Sequence, residues 1–365
     1  MLALHEIHQR LGARFTAVND LEAVGEYGDR LAEHEALRQK AGVLDLSFRG
    51  RLCLTGADRA RFLHGQVTND VNRLRPGQGC YAALVTAKGR MQSDLNIFCL
   101  AEELLLDFEP GYTDRVAPRL EKYIVADDVQ VVNVADAYGL LSLQGPAAAE
   151  VARAVGLFAE LPAEPFESRT MKDPALGELC LVNQPRLGTA GFDWFAPSAG
   201  LAALAEKLLA AATALGGRAC GWEAFEAARI EAGLPRFGQD MDETNFPQEC
   251  GLEGRAMSYN KGCYIGQEVL NRIHTVGHVN RELRGLRLAS NLAPLPAKGD
   301  KLFHDGREAG YVTSALASPA FKANIALGYL RTEANQPGTQ LLLKCDGVET
   351  PALVVELPFR SDNDQ

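Results

Sequence analysis

The stretch RLCLTGADRARFLHG, residues 51–65, alternates apolar and polar positions as a half-buried strand does, and then turns at Gly56. Beyond the turn, apolar residues recur at the helical positions Ala60, Phe62 and Leu63. The stretch YGLLSLQGPAAAEVARAVG, residues 138–156, repeats the plan: Leu141 and Leu143 sit in the strand, Gly145 at the turn, and Pro146 in the first helical turn, where a missing N–H costs nothing. Two related strand–glycine–helix units suggest two half-domains from a duplication. Residues 80–108 read as successive strands with a tight turn at Ala87-Lys88-Gly89, and Asp94 lies just inside the returning strand. Further helices are expected at 22–40, 112–123, 146–155 and 200–215, with a Pro-rich surface connection over 161–174. Gly77-Gln78-Gly79 precedes a strand instead of opening a helix, so it reads as a turn and not as a nucleotide loop.

After NLAPLPAKG, residues 291–299, the periodicity changes. KLFHDG, EAGYVTSAL, ANIALGYL, TQLLLKC and PALVVEL are short β-type runs separated by glycine, proline and polar turns. They predict a small closed or nearly closed β-barrel as a C-terminal domain over 283–365, preceded by a larger region over 1–282. The chain has 365 residues, 47% of them hydrophobic, which is too long for one compact core and ample for two or three. Apolar runs such as Leu104–Leu106 fall far short of the roughly 20 residues a membrane span needs. The amino terminus has no uninterrupted apolar core of the secretory kind, so a cytoplasmic, membrane-independent protein is expected. No coiled-coil heptad is visible, and a monomer is the simplest expectation.

Charge and cysteine content narrow the chemistry. A net charge of −10 argues against nonspecific nucleic-acid binding. Between Arg49 and Arg90, however, eight basic residues face only Asp58 and Asp70, an imbalance that suits either a solvated face or a groove for an anionic small molecule such as a polycarboxylate. The eight cysteines form no CxxC pair, and no Cys/His set has the spacing of a zinc site, so no metal is expected. His274 and His278 would share a helical face, but Thr275, Val276 and Gly277 disfavour a helix there.

The segment KGCYIGQE, residues 261–268, places one thiol, Cys263, between Gly262 and Gly266 at what reads as a helix start. Lys261 and the first helical amides would favour a thiolate and early titration. The competing reading is a small buried apolar residue in a turn.

These residues resemble the YgfZ-like folate-binding proteins, relatives of the glycine-cleavage T-protein (aminomethyltransferase), over essentially the whole chain. KGCYIGQE, with Lys261, Gly262, Cys263, Tyr264, Gly266, Gln267 and Glu268, resembles the signature of the YgfZ branch, whereas T-proteins usually carry aspartate-phenylalanine where Cys263 and Tyr264 stand. LTGADRARFLHGQVTNDV (54–71), AKGRMQSD (87–94), ARIEAGLPRFGQDMDE (228–243) and EAGYVTSALASPAFKANIALGYL (308–330) resemble motifs of both branches. The resemblance implies a three-lobed α+β fold, with a bilobed folate-binding region, a C-terminal barrel, and tetrahydrofolate as ligand. It implies an accessory role in the maturation or repair of iron-sulfur enzymes, with those enzymes as client proteins and Cys263 as the functional thiol. The alternative is a folate-dependent aminomethyltransferase or demethylase. Asp94 matches an acid that positions the folate, although Ser93 stands where T-proteins have a second acid. Glu231 matches the glutamate that grips the pterin, its alternative being a surface pair with Arg229 or Arg236; Tyr81 matches a tyrosine lining the folate site, its alternative being a core aromatic.

Overall fold

The computed structural model describes residues 1–360. Packing divides them into two compact units: Met1–Leu84 with Ser93–Ala228 and Asn260–Ile265, and Val85–Gln92 with Arg229–Tyr259 and the chain from Gly266 onward.

Two larger sheets organise the first unit. One has five strands in the order Gly79–Val85, Met91–Cys99, Leu104–Phe108, Gly50–Thr55, Gln130–Asn133. The other has six, in the order Ser168–Asp173, Gly177–Asn183, Gly191–Pro197, Tyr138–Gln144, Gly42–Asp45, Arg218–Ala219. The repeated unit read from the sequence is present in both. Gly50–Thr55 leads through Gly56 into the helix Arg59–Gln66, and Tyr138–Gln144 leads through Gly145 into Ala148–Val155. Both glycines take positive φ, +97° and +125°, and a Cβ on either would lie within 2.6 Å of a carbonyl oxygen, Asp128 O at 2.1 Å or Lys40 O at 2.6 Å. Only glycine fits such a turn. The helices Thr113–Glu121 and Ser198–Ala214 also lie where expected.

Two expectations need correction. Residues 22–40 are not one helix: Leu21–Glu26 is a strand paired with Arg14–Val18, and the helix Arg30–Gln39 begins only after Asp29, whose carboxylate caps Ala32 N–H at 3.0 Å. The edge pairing and the cap outweigh the charged, helix-favouring composition of the segment. The Pro-rich 161–174 segment is a connection only as far as Glu167, because Ser168–Asp173 pairs with Gly177–Asn183.

In the second unit, a closed barrel runs in the order Arg281–Leu288, Ala323–Arg331, Arg307–Ser318, Lys301–His304, Gln340–Cys345, Val348–Val355. The five strands read from the sequence are there, and Arg281–Leu288 is the sixth that closes them, pairing with Ala323–Arg331 on one side and Val348–Val355 on the other. Leu286, Leu302, Val312, Leu330, Leu343 and Val354 fill its interior. A buried polar knot joins it to the segment after helix Trp222–Glu231. Asp240 takes the Arg229 guanidinium at 2.5 Å and the hydroxyls of Thr313 and Ser314 at 2.6 and 2.7 Å. Among the described residues no helix is long and apolar enough to cross a membrane.

Candidate functional site

Asp94 and Tyr81 stand on neighbouring strands of the five-stranded sheet, and the Tyr81 hydroxyl donates to Asp94 Oδ2 at 2.6 Å. Oδ1 is shielded from solvent and has no hydrogen-bond partner among the described residues. Burial, and then the nearby Glu109 carboxylate, push the Asp94 carboxyl up to about 6, against the opposing pull of the Tyr81 hydrogen bond and of Arg49. A carboxyl with one tethered and one unused oxygen, divided between acid and base near neutral pH, is equipped to accept a proton from a bound nitrogen or return it. Ser93, the residue before Asp94, is fully buried, and its hydroxyl donates to the Asp94 carbonyl at 3.1 Å.

A buried ionic network flanks this pair. Asp107 receives Arg49 Nε at 2.8 Å, Asn96 Nδ2 at 2.8 Å and Arg186 at 2.7 Å, while Arg186 also grips Asp193 at 2.6 Å. Arg49 extends to Glu109 at 2.5 Å, Ser142 donates to Asp193 at 2.7 Å, and Gln184 Nε2 reaches Asn96 Oδ1 at 3.2 Å. Burial alone would raise Asp107, but the guanidiniums of Arg186 and Arg49 outweigh it and hold the carboxyl well below its ordinary range. Gln184 Oε1, like Asp94 Oδ1, is buried and unpartnered among the described residues. The sequence reading missed Asp107, Arg186 and Asp193. The signal for the two acids was a lone carboxylate inside an apolar strand, in LLLDF and in GFDWF.

Arg49, Arg51, Arg61, Arg73 and Arg90, five of the eight basic residues of the stretch, are engaged within the fold. Arg49 and Arg51 are buried, and Arg51 gives its donors to the carbonyls of Ser47, Arg49, Ala135 and Tyr138. Arg61 pairs with Asp58 and Asp127, Arg73 with Asp70, and Arg90 lies over the Phe246 ring and donates to Thr244 O. Those side chains are occupied holding the fold.

In the KGCYIGQE segment, Cys263 is exposed, in contrast to Cys53, Cys99, Cys180, Cys220, Cys250 and Cys345, which are buried. The competing reading of Cys263 as a buried core residue is therefore set aside. Lys261 does not act as expected: all three of its ammonium donors go to the carbonyls of His64, Val67 and Asn69, at 2.6, 2.6 and 2.8 Å. Tyr264 is buried with the Lys261 ammonium 4.7 Å from its ring centroid, and Gly266 is the left-handed cap of the helix Gln267–Thr275, in whose first turn Glu268 stands. That helix contains His274 and stops before Val276, so His274 and His278 do not share a helical face; His274 stacks on Tyr259 and bonds Glu253 at 2.6 Å.

Glu231, at the end of helix Trp222–Glu231 in the second unit, is buried, and its Oε1 accepts from Ser318 Oγ at 2.5 Å and Ala320 N–H at 3.1 Å. Arg229, one of the proposed surface partners of Glu231, is itself buried on Asp240. A cavity of about 530 Å³ opens on the barrel among Arg281, Lys301, Tyr311, Tyr329 and Arg331, but its Arg281 is already bonded to Glu249, Thr244 and Tyr311.

Fold and site together define an α+β protein with a closed C-terminal barrel and a part-buried acid beside a tyrosine in its N-terminal region. The GCVT N-terminal domain matches residues 4–261, and the glycine cleavage T-protein C-terminal barrel domain matches residues 281–360. The chain belongs to the glycine-cleavage T-protein family. It is 30% identical over 357 residues to an aminomethyltransferase of Geobacillus kaustophilus, covering 98% of this chain and 97% of that one. It is 31% identical over 359 residues to the aminomethyltransferase of Geobacillus sp. WCH70, again covering 98% and 97%. The crystal structure of the glycine cleavage system aminomethyltransferase T from Bartonella henselae superposes with a TM-score of 0.88 at 27% identity, covering 98% of this chain and 97% of that one. The expected α+β fold with its barrel is thus borne out. The similar proteins carry the name of the transferase branch, and none of these similarities supports the iron-sulfur role.

Proposed function

We propose that the protein binds tetrahydrofolate and transfers a one-carbon unit to it from an amine, as a folate-dependent aminomethyltransferase. The observation that carries this reading is Asp94: a carboxyl held by Tyr81 through one oxygen, with the other buried and unused, and titrating near 6. A folate nitrogen donating to Oδ1 would satisfy that oxygen. As this nitrogen bonds to the incoming carbon it becomes more acidic, and the carboxylate takes its proton and passes it to the amine as the carbon–amine bond breaks and ammonia leaves; the donor's other substituent then departs with the proton of the second folate nitrogen as that nitrogen closes the methylene bridge. The names of the similar aminomethyltransferases support the reaction class. The test is to follow ¹³C from aminomethyl donors into methylenetetrahydrofolate with purified protein. Turnover that disappears in Asp94→Asn supports the reading, and absence of transfer from every donor refutes it.

A second reading, the tetrahydrofolate-binding accessory factor for iron-sulfur enzymes, is favoured by one specific observation: Cys263 is exposed, in a segment anchored on either side of it. Its discriminating variant is Cys263→Ser. A transferase retains turnover, because no thiol takes part in moving carbon from an amine to folate. An accessory factor retains folate affinity and loses its support of iron-sulfur enzymes in cells lacking the native protein.

A further inference from the structure

Within the first unit, Lys261, Asn69, Tyr81 and Asp94 are joined by an unbroken series of hydrogen bonds. The helix Arg59–Gln66 ends where Thr68 N–H turns away to Ala83 O, leaving the carbonyl of His64 without its helical donor. Lys261, nearly two hundred residues later in the chain, fills that vacancy and takes the carbonyls of Val67 and Asn69 as well. A buried ammonium is costly unless every donor is used, and here all three are. From Asn69 the series runs inward: its Nδ2 donates to Tyr81 O at 2.9 Å, and the Tyr81 hydroxyl donates to Asp94 at 2.6 Å. It also runs outward, because Ile265 N–H donates to Gly65 O at 3.1 Å, so that Cys263 is exposed between two tied points, 261 and 265.

We propose that Lys261 is a positioning residue, a brace that sets both the Tyr81–Asp94 pair and the exposed Cys263 from the end of one helix. The inward arm rests on reading Asp94 as the acid of the folate site; the outward arm does not. The charged and titratable groups facing Asp94 are Tyr81 from its neighbouring strand, Glu109 beyond Leu104–Phe108, and Arg49 before Gly50–Thr55. Tyr81 is the one among them that the brace positions.

The experiment titrates ¹³Cγ-labelled aspartate in the ligand-free protein by NMR, with Asp94 assigned by its loss in Asp94→Asn, and follows amide exchange at Ile265. In the parent the Asp94 midpoint is expected near 6. Loosening Tyr81 removes a hydrogen bond that favours the ionised form, so Lys261→Met and Asn69→Ala should each raise the midpoint by about half a unit or more. Exchange at Ile265 should rise about tenfold or more in Lys261→Met and stay unchanged in Asn69→Ala, whose backbone carbonyl still receives Lys261. A folded Lys261→Met protein with the parent's Asp94 midpoint and Ile265 exchange overturns the proposal. If Lys261→Met does not fold, Asn69→Ala decides, and an unmoved midpoint overturns it. Because no folate is present, a failed one-carbon assay leaves this test intact.

Discussion

At the scale of single residues, Asp94 shows what the proposed site costs the fold. Its carboxyl titrates near 6 in the folded chain, against about 3.9 unfolded. The stability associated with its protonated form is therefore fully present below about pH 4 and is lost as pH rises through 6. Asp94→Asn keeps an acceptor for the Tyr81 hydroxyl and removes the ionisation. Its stability relative to the parent should rise by about 1–3 kcal/mol between pH 4 and pH 7, read from urea unfolding at each pH, while one-carbon transfer disappears. A difference that does not change with pH would return Asp94 to an ordinary carboxylate. Glu231 gives a second test at this scale. Glu231→Gln keeps the oxygen that accepts from Ser318 and Ala320, so the fold should persist. If Glu231 grips the pterin, tetrahydrofolate affinity falls about ten- to a hundredfold by calorimetry, the loss of one charge-assisted pair. Unchanged affinity removes Glu231 from the ligand.

At the scale of elements, the strand–glycine–helix unit is the repeated device, and its glycines are the sensitive points. Gly56→Ala would place a methyl 2.1 Å from Asp128 O on a backbone at φ +97°. The clash is with main chain, which cannot swing aside, and the conformation itself disfavours a side chain. A loss of about 2 kcal/mol or more in chemical denaturation is expected. The same change at Gly156, also at positive φ but with nothing within 4 Å, should cost only the backbone term of about 1 kcal/mol. Equal losses at the two positions would show that the close approach to Asp128 is relieved by movement.

For the molecule as a whole, closure of the barrel is the decisive feature. Arg281–Leu288 pairs with strands on both of its sides, so removing it exposes two sheet edges at once. A fragment from Arg281 to the C-terminus should melt cooperatively, though at lower temperature than the parent, because it lacks the Asp240 carboxylate that serves Thr313 and Ser314. A fragment beginning at Ser290 should show no cooperative transition. If both melt alike by calorimetry, the first strand is not what completes the barrel.

The sequence by itself determined the elements whose cause is local: the glycine turns, the helices after them, the short alternating runs of the barrel, and the motifs that point to a folate-binding family. Asp94 was readable as a candidate because it closes the motif AKGRMQSD, and Tyr81 because it stands in the strand before that turn and matches a tyrosine of the family. What each charge does was decided only by tertiary structure. Arg49, Arg51 and Lys261 look alike in sequence to surface cations, and the fold buries them on Asp107, on main-chain carbonyls and on a helix end. Leu21–Glu26 has a helix-compatible composition and becomes a strand because Arg14–Val18 lies alongside it. The physical reason is the same in each case: periodicity and turn chemistry act between near neighbours, whereas a buried charge or a strand edge is satisfied by partners tens to hundreds of residues away, and those partners exist only once the chain has folded.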